Sequence, residues 1–134
     1  MAKLTEEVLA VFRDPNSTKI IATVDKSGIP NVTVKGSLSV LDDSTLVFAD
    51  VGGDATRTTR NMKDTKKVAV MVTKGMATYQ VKGVFKESKT SGSVFDQFAA
   101  MLKKAANINI KAIDLISVDE VYSQNPVDLG KKVA

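Results

Sequence analysis

The chain contains no cysteine, no histidine and no tryptophan. Without thiols it can form no disulfide, no iron–sulfur cluster and no thiolate nucleophile. The added lack of His removes the remaining usual ligands of zinc and copper and the commonest general base near neutral pH. Carboxylates, lysines, tyrosines and hydroxyls are left. Hard chemistry would have to come from a redox cofactor, which brings its own reactivity and asks the protein only to bind, orient and tune it. Aromatics are also scarce, five Phe and two Tyr, so few rings are available to stack unpaired bases, which argues against a nucleic-acid partner. Apolar runs extend over only a few residues, too short for a membrane-spanning helix. The opening MAKLTEEVLAVF carries acids where a signal peptide needs a basic flank. The expectation is a cytoplasmic protein with no membrane partner.

What is present fits an ordinary globular chain. With 134 residues, 43% hydrophobic and 25% charged, residues 1–134 are expected to form a single domain with a real core. The formal charge of +4 and pI near 9.3 are compatible with an anionic ligand, and equally with solubility alone.

Periodicity predicts the elements. Thr5 to Arg13 reads as a short helix, with Thr5 as cap, Glu6 and Glu7 at its positive end, and a stripe of Val8, Leu9 and Phe12 ended by Asp14-Pro15. The period then changes to two. KIIATV and PNVTVKGSLSVL flank the turn DKSG, and in the second strand Val32, Val34, Leu38 and Val40 alternate with Asn31, Thr33, Lys35, Ser37 and Ser39. The valine side is the expected core face. TLVFAD is a third strand, TRTTRNMKD a short helix capped by Asp54 or Thr56, and KKVAVMVT and TYQVKGVFKE the fourth and fifth strands, with Gly83 a bulge or barrel corner. SVFDQFAAMLKKAA has helical spacing, IKAIDLISVDEVYSQ reads as a sixth strand, and NPVDLGKKVA is a polar tail. Short antiparallel strands with few helices predict a mainly β fold, a small six-stranded barrel whose closure removes exposed edges.

One segment carries a chemical signal. In FADVGGDATRTTRNM, Gly52 and Gly53 permit a sharp bend, and Thr56, Arg57, Thr58, Thr59, Arg60 and Asn61 follow at once. Free N–H groups at a helix start, hydroxyls and a guanidinium can converge there on a phosphate. The same residues also suit a plain turn with solvated arginines. Neither a P-loop nor G-x-G-x-x-G is present, so triphosphate hydrolysis and Rossmann binding fall away.

The succession SGIPNVT, LVFADVGG and ATRTTRNMKDTKKVAVMV resembles the FMN-binding split-barrel family, which includes pyridoxamine phosphate oxidase-like proteins, flavoredoxins and small bacterial FMN-binding proteins. The resemblance runs from about Lys19 to Ser117 and is most specific from Thr56 to Val72. It implies that the helix-capping turn at Thr56, with Arg57, Thr58 and the following Asn61, holds the phosphate of FMN. It also implies that the flavin ring lies along Thr33, Val34, Lys35 and Gly36, with Val51 and Gly52 beside it. A homodimer with the flavin at the subunit interface is implied too, and apolar residues such as Val47, Ala69 and Met71 would suit a second, interfacial strand face. Lys35 is the expected cation near the pyrimidine edge, where it would favour the reduced ring.

Departures from the family pattern narrow the expectation. Without His, the pattern by which pyridoxamine phosphate oxidases recognise their substrate is missing, and haem ligation loses its usual ligand. With no Trp to cover the ring, Tyr79, Tyr122 or a Phe would have to serve. The expected function is therefore electron or hydride transfer through FMN to an unidentified redox partner or substrate, with no catalytic side chain and no metal. The alternatives are a deazaflavin-binding oxidoreductase of the same fold, a flavin-binding module without turnover and, more remotely, a basic nucleic-acid-binding barrel.

Overall fold

The computed structural model describes residues 2–134. In chain order its elements are α1 (Glu6–Arg13), β1 (Thr18–Val24), β2 (Pro30–Val34), β3 (Ser39–Asp42), β4 (Thr45–Asp50), a 3-10 turn (Gly53–Ala55), α2 (Arg57–Thr65), β5 (Lys67–Lys74), β6 (Ala77–Lys89), α3 (Ser93–Ala106) and β7 (Ala112–Ser123). All strand pairs are antiparallel, in the order β2-β1-β5-β6-β7-β4-β3. The fold is mainly β with short helices, as the sequence predicts.

Among the described residues the sheet has seven strands where six are expected, because the predicted second strand breaks at Lys35–Leu38. Its two halves, β2 and β3, form the two opposite edges of the sheet. Laid flat, seven strands would span about 29 Å, whereas the connection from Val34 to Ser39 reaches at most about 18 Å. The sheet must curl to bring its edges together, which makes it a split barrel. The break also inverts part of the face assignment. Val32 and Val34 are 66% and 64% exposed, and Asn31, Thr33 and Lys35 take the half-buried inner face. Only after the turn does the alternation return to the core, with Leu38 fully buried.

The main core fills the inner face. Val8, Leu9, Val11 and Phe12 of α1 pack with Ile21, Leu46, Phe48, Met62, Val70, Val72, Val81 and Ile116. Thr5 caps α1 by accepting from the Val8 amide at 3.4 Å. A smaller cluster lies under α3, where Phe98 and its neighbours cover Val47, Ala49, Ile113 and Leu115. Val47, one of the three residues suggested for an interfacial strand face, is instead core under α3, whereas Ala69 and Met71 remain half-buried on the outer face. Gly83 sits at a register shift between β6 and β7, where a Cβ would run into the Ser117 carbonyl; only glycine admits that approach. The polar tail folds back onto β7, with Val133 N donating to Val121 O at 2.8 Å and Ser123 N to Lys131 O at 2.8 Å.

Candidate functional site

After β4 the chain bends through Val51 and Gly52 into the 3-10 turn and then α2. Gly52 packs so closely under the next helix start that a Cβ would strike Thr56 Cγ2, and Gly53 has φ +56°. Both positions therefore call for glycine. Asp50 pegs the bend, its Oδ1 accepting from Gly53 N at 2.7 Å and its Oδ2 from the Thr59 hydroxyl at 2.9 Å.

Thr56 is the N-cap of α2. Its Oγ1 donates to Gly53 O at 3.0 Å and accepts the Thr59 amide at 3.4 Å. The Arg60 amide goes to Thr56 O at 3.2 Å. The amides of Arg57 and Thr58 have no acceptor among the described residues, so the positive end of α2 presents two free donors.

A cleft of about 400 Å³ runs along the same helix, lined by Asp25, Ile29, Pro30, Asn31, Arg57, Arg60, Asn61 and Asp64. Arg57 is exposed on its rim and belongs to no ion pair among the described residues. Arg60 is partly engaged, with NH1 donating to Asp54 O at 3.2 Å. Thr58 lies beneath, 4% exposed, and its hydroxyl oxygen accepts from Asn31 Nδ2 at 3.3 Å, so its own hydrogen is left to give. Asn61 is likewise buried, and its Nδ2 donates to Thr23 Oγ1 at 3.1 Å. The two acids have other partners: Asp25 Oδ1 accepts two loop amides at 2.9 Å each, and Asp64 faces Lys26 at 3.9 Å.

From Asn31 the inner face of β2 continues through Thr33 to Lys35, whose Nζ lies 5.2 Å from the centre of the Phe48 ring. The Lys35 amide donates to Lys19 O at 2.9 Å. Since β2 is an edge strand, the alternate amides, Val34's among them, point to the open edge. Lys19 lies opposite Lys35, and burial lowers its pKa. Gly36 is exposed in the turn and Val51 is 40% exposed. The structure thus brings Arg57 and Asn61 to one cleft, keeps Thr58 buried behind the cleft residue Asn31, and sets Thr33 and Lys35 along the strand leading from it. Thr56 and Gly52 build the turn, with the Thr56 hydroxyl used up in capping. Of the proposed aromatic covers, Tyr79 is buried in the core, and Tyr122 bonds to Glu120 under Lys82.

Asn31, Asp50 and Lys19 are additions that the sequence pattern does not single out, and Thr59, one of the hydroxyls it does, is turned to Asp50. Asp50 carried a signal, an acid closing an apolar strand just before the glycine pair. The partnership of Asn31 with Thr58 depends on the packing of α2 against β2, which no local pattern encodes.

The sequence profile of the pyridoxamine 5'-phosphate oxidase family matches residues 4–125, and the chain belongs to that family. Among individual relatives, it is 29% identical to the uncharacterized protein MJ0282 of Methanocaldococcus jannaschii, over 100% of this chain and 90% of that one. Among solved structures it is similar to HupZ of Group A Streptococcus, with TM-score 0.80 and 22% identity over 98% of this chain and 99% of that chain. A putative pyridoxamine 5'-phosphate oxidase from Lactobacillus delbrueckii gives TM-score 0.70 and 29% identity, over 90% and 93% of the two chains. An FMN-binding protein from Syntrophomonas wolfei gives 0.69 and 22%, over 78% and 75%. The fold also occurs in an F420 reductase, with TM-score 0.64 and 17% identity over 84% and 93%.

Proposed function

We propose that the chain is an FMN-binding redox protein that works as a homodimer with the flavin held non-covalently at the subunit interface. The observation that carries this reading is the meeting of Arg57, Asn31 and Asn61 at one polar cleft, next to a helix start whose first two amides have no acceptor among the described residues. Those donors fit a phosphate dianion, whose charge both the guanidinium and the helix end would offset. A cleft of about 400 Å³ suits the phosphate and its chain, and leaves the ring to lie along Thr33, Val34 and Lys35, with Gly36, Val51 and Gly52 at its margins. Membership of the family and the likeness to an FMN-binding protein point the same way.

When bound, the flavin supplies reversible uptake of electrons and protons. The chain's own residues bind and tune it. Arg57, Thr58 and the α2 amides hold the phosphate, and Lys35, on the inner face of an edge strand, places a cation where reduction leaves negative charge. Electron or hydride transfer of this kind asks for no side-chain acid or base, in keeping with a chain that has no His.

The outer sheet face supports the dimer. Val32 and Val34 are largely exposed, Val84 is 40% exposed, and Ile20, Ala22, Ala69 and Met71 are half-buried on the same side. A second copy would cover these side chains and the open edge of β2 together.

The direct test is the colour of the purified protein and the identity of the chromophore that acid releases. FMN is expected, and a protein that neither carries nor takes up any flavin would overturn the reading. The likeness to an F420 reductase favours deazaflavin as the second reading, since the same cleft would take its phosphodiester, and the released chromophore's spectrum separates the two. Reduction by an added nicotinamide, followed by transfer to an acceptor, distinguishes a redox protein from a module that only stores flavin.

A further inference from the structure

Beneath the glycine turn lies a second cluster that holding a phosphate does not itself require. Asp50, at the end of β4, is 3% exposed, and Asp114, on neighbouring β7, is fully buried. Both Asp50 oxygens are occupied, by the Gly53 amide and the Thr59 hydroxyl. Asp114 Oδ1 accepts from the Ser88 hydroxyl, while its Oδ2 is buried with no partner among the described residues. The register of β4 against β7 pairs Asp50 with Ala112 and Phe48 with Asp114, so the two acids are diagonal neighbours on one sheet face, where an orphaned carboxylate oxygen and a second buried charge are both costly. A proton on Asp114 Oδ2, donated to Asp50, removes both penalties at once.

We propose that Asp50 and Asp114 share one proton, and that its loss loosens the Gly52–Gly53 turn and weakens the grip of the α2 N-terminus on a phosphate. Asp114 is a positioning residue in this scheme and acts through Asp50. The protonated pair carries one negative charge and holds Gly53 and Thr59 in place. When the proton leaves to water, a second charge appears under the helix end that must face a dianion, and Asp50 is repelled from the groups it pegs.

The groups facing the pair come from every element around it. α2 contributes Lys63, which is tied to Asp54 of the 3-10 turn at 2.7 Å. The loop before β7 contributes Lys111, whose Nζ donates to Gly52 O at 3.3 Å. β6 contributes Ser88, with Thr90 just beyond it. α3 packs on the opposite face of β7 and offers no charge here. Burial, opposed by the Ser88 hydrogen bond and then reinforced by the nearness of Asp50, raises the Asp114 pKa to about 7, with Lys63 pulling weakly the other way. The proton would leave near neutrality.

The coupling to phosphate rests on the flavin reading above, and the experiment separates the two. FMN and riboflavin are titrated into the apoprotein between pH 6 and 8.5, for wild type, Asp114→Asn and Ser88→Ala, while carboxyl 13C shifts report the titration of Asp114. Asn can keep both hydrogen bonds without titrating. Wild type should lose FMN affinity by roughly fivefold or more across that range relative to Asp114→Asn, and riboflavin, which has no phosphate, should show no such difference. Ser88→Ala removes a bond that favours the ionised form and should move the step to higher pH, which gives a second reading if Asp114→Asn fails to fold. Identical pH profiles for wild type and Asp114→Asn, or an Asp114 carboxyl that titrates in the ordinary acid range, overturn the shared proton or its coupling. If wild type binds FMN at no pH, the coupling falls together with the flavin reading; if it binds at pH 6 without the predicted step, the coupling falls alone.

Discussion

Replacing Arg57 with Ala isolates the interaction on which the functional reading depends. The side chain is exposed, makes no ion pair among the described residues and lines the polar cleft. Its removal should therefore leave folding almost untouched, within about 0.5 kcal/mol as for ordinary surface positions. A charge-assisted hydrogen bond to phosphate contributes about 1.5–3 kcal/mol, so the dissociation constant for FMN should rise by about 10- to 150-fold. Lys at the same position keeps the charge but loses the planar fork and should recover only part of the loss. Fluorescence quenching of FMN titrated with apoprotein measures this directly, with riboflavin as the control. Riboflavin affinity should hardly change, because the lost contact is to phosphate. An FMN constant unchanged by Arg57→Ala, or equal losses for both ligands, would refute the assignment.

Three further outcomes are expected. Val34→Asp puts a charge on the exposed apolar face and should shift sedimentation from dimer to monomer; a wild type that is already monomeric at micromolar concentration would refute the interface. Gly83→Ala drives a methyl group into the Ser117 carbonyl and should cost about 2–3 kcal/mol, a fall in Tm of roughly 5–10 °C, and an unchanged Tm would show that β6 and β7 can separate freely there. Because the folded pKa of Asp114 lies near 7, above its ordinary 3.8, the folded state binds this proton more tightly than the unfolded chain does. Stability should then fall as pH rises from about 4 to 7 and level off above, with a ceiling of about 4 kcal/mol. Urea unfolding should show that slope in wild type and lose it in Asp114→Asn.

Much of the fold was legible in local pattern. The Thr5 cap, the helix Ser93–Ala106 and the strand Thr45–Asp50 fall where spacing puts them, because each is specified within its own few residues. The long second strand that the pattern predicts divides in two for a definite reason. Val32, Val34, Leu38 and Val40 keep an even spacing across the turn at Lys35–Leu38, so the period of two survives the break. Gly36 does not adopt a positive φ that would mark it. Alternation also reveals only which residues share a face, never which face is covered; here the polar side of β2 turns inward and the valines turn out.

At the candidate site, the glycine pair and the basic, hydroxyl-rich segment were readable because a helix start and its cap are local. The division of labour within that segment was not. Thr56 caps, Thr58 bonds to Asn31 and Thr59 bonds to Asp50, three roles that follow from what each threonine meets in space. Asp50 and Asp114 come together only through the register of β4 against β7, which pairs Phe48 with Asp114, and long-range register has no local signature.

The position of a bound flavin phosphate is the most direct test of the site. A crystal structure of the FMN-loaded protein should place the phosphorus at the start of α2, with the Arg57 guanidinium and the Arg57 and Thr58 amides within hydrogen-bond distance of its oxygens. A phosphate bound elsewhere on the chain, with Arg57 turned to solvent, would contradict it.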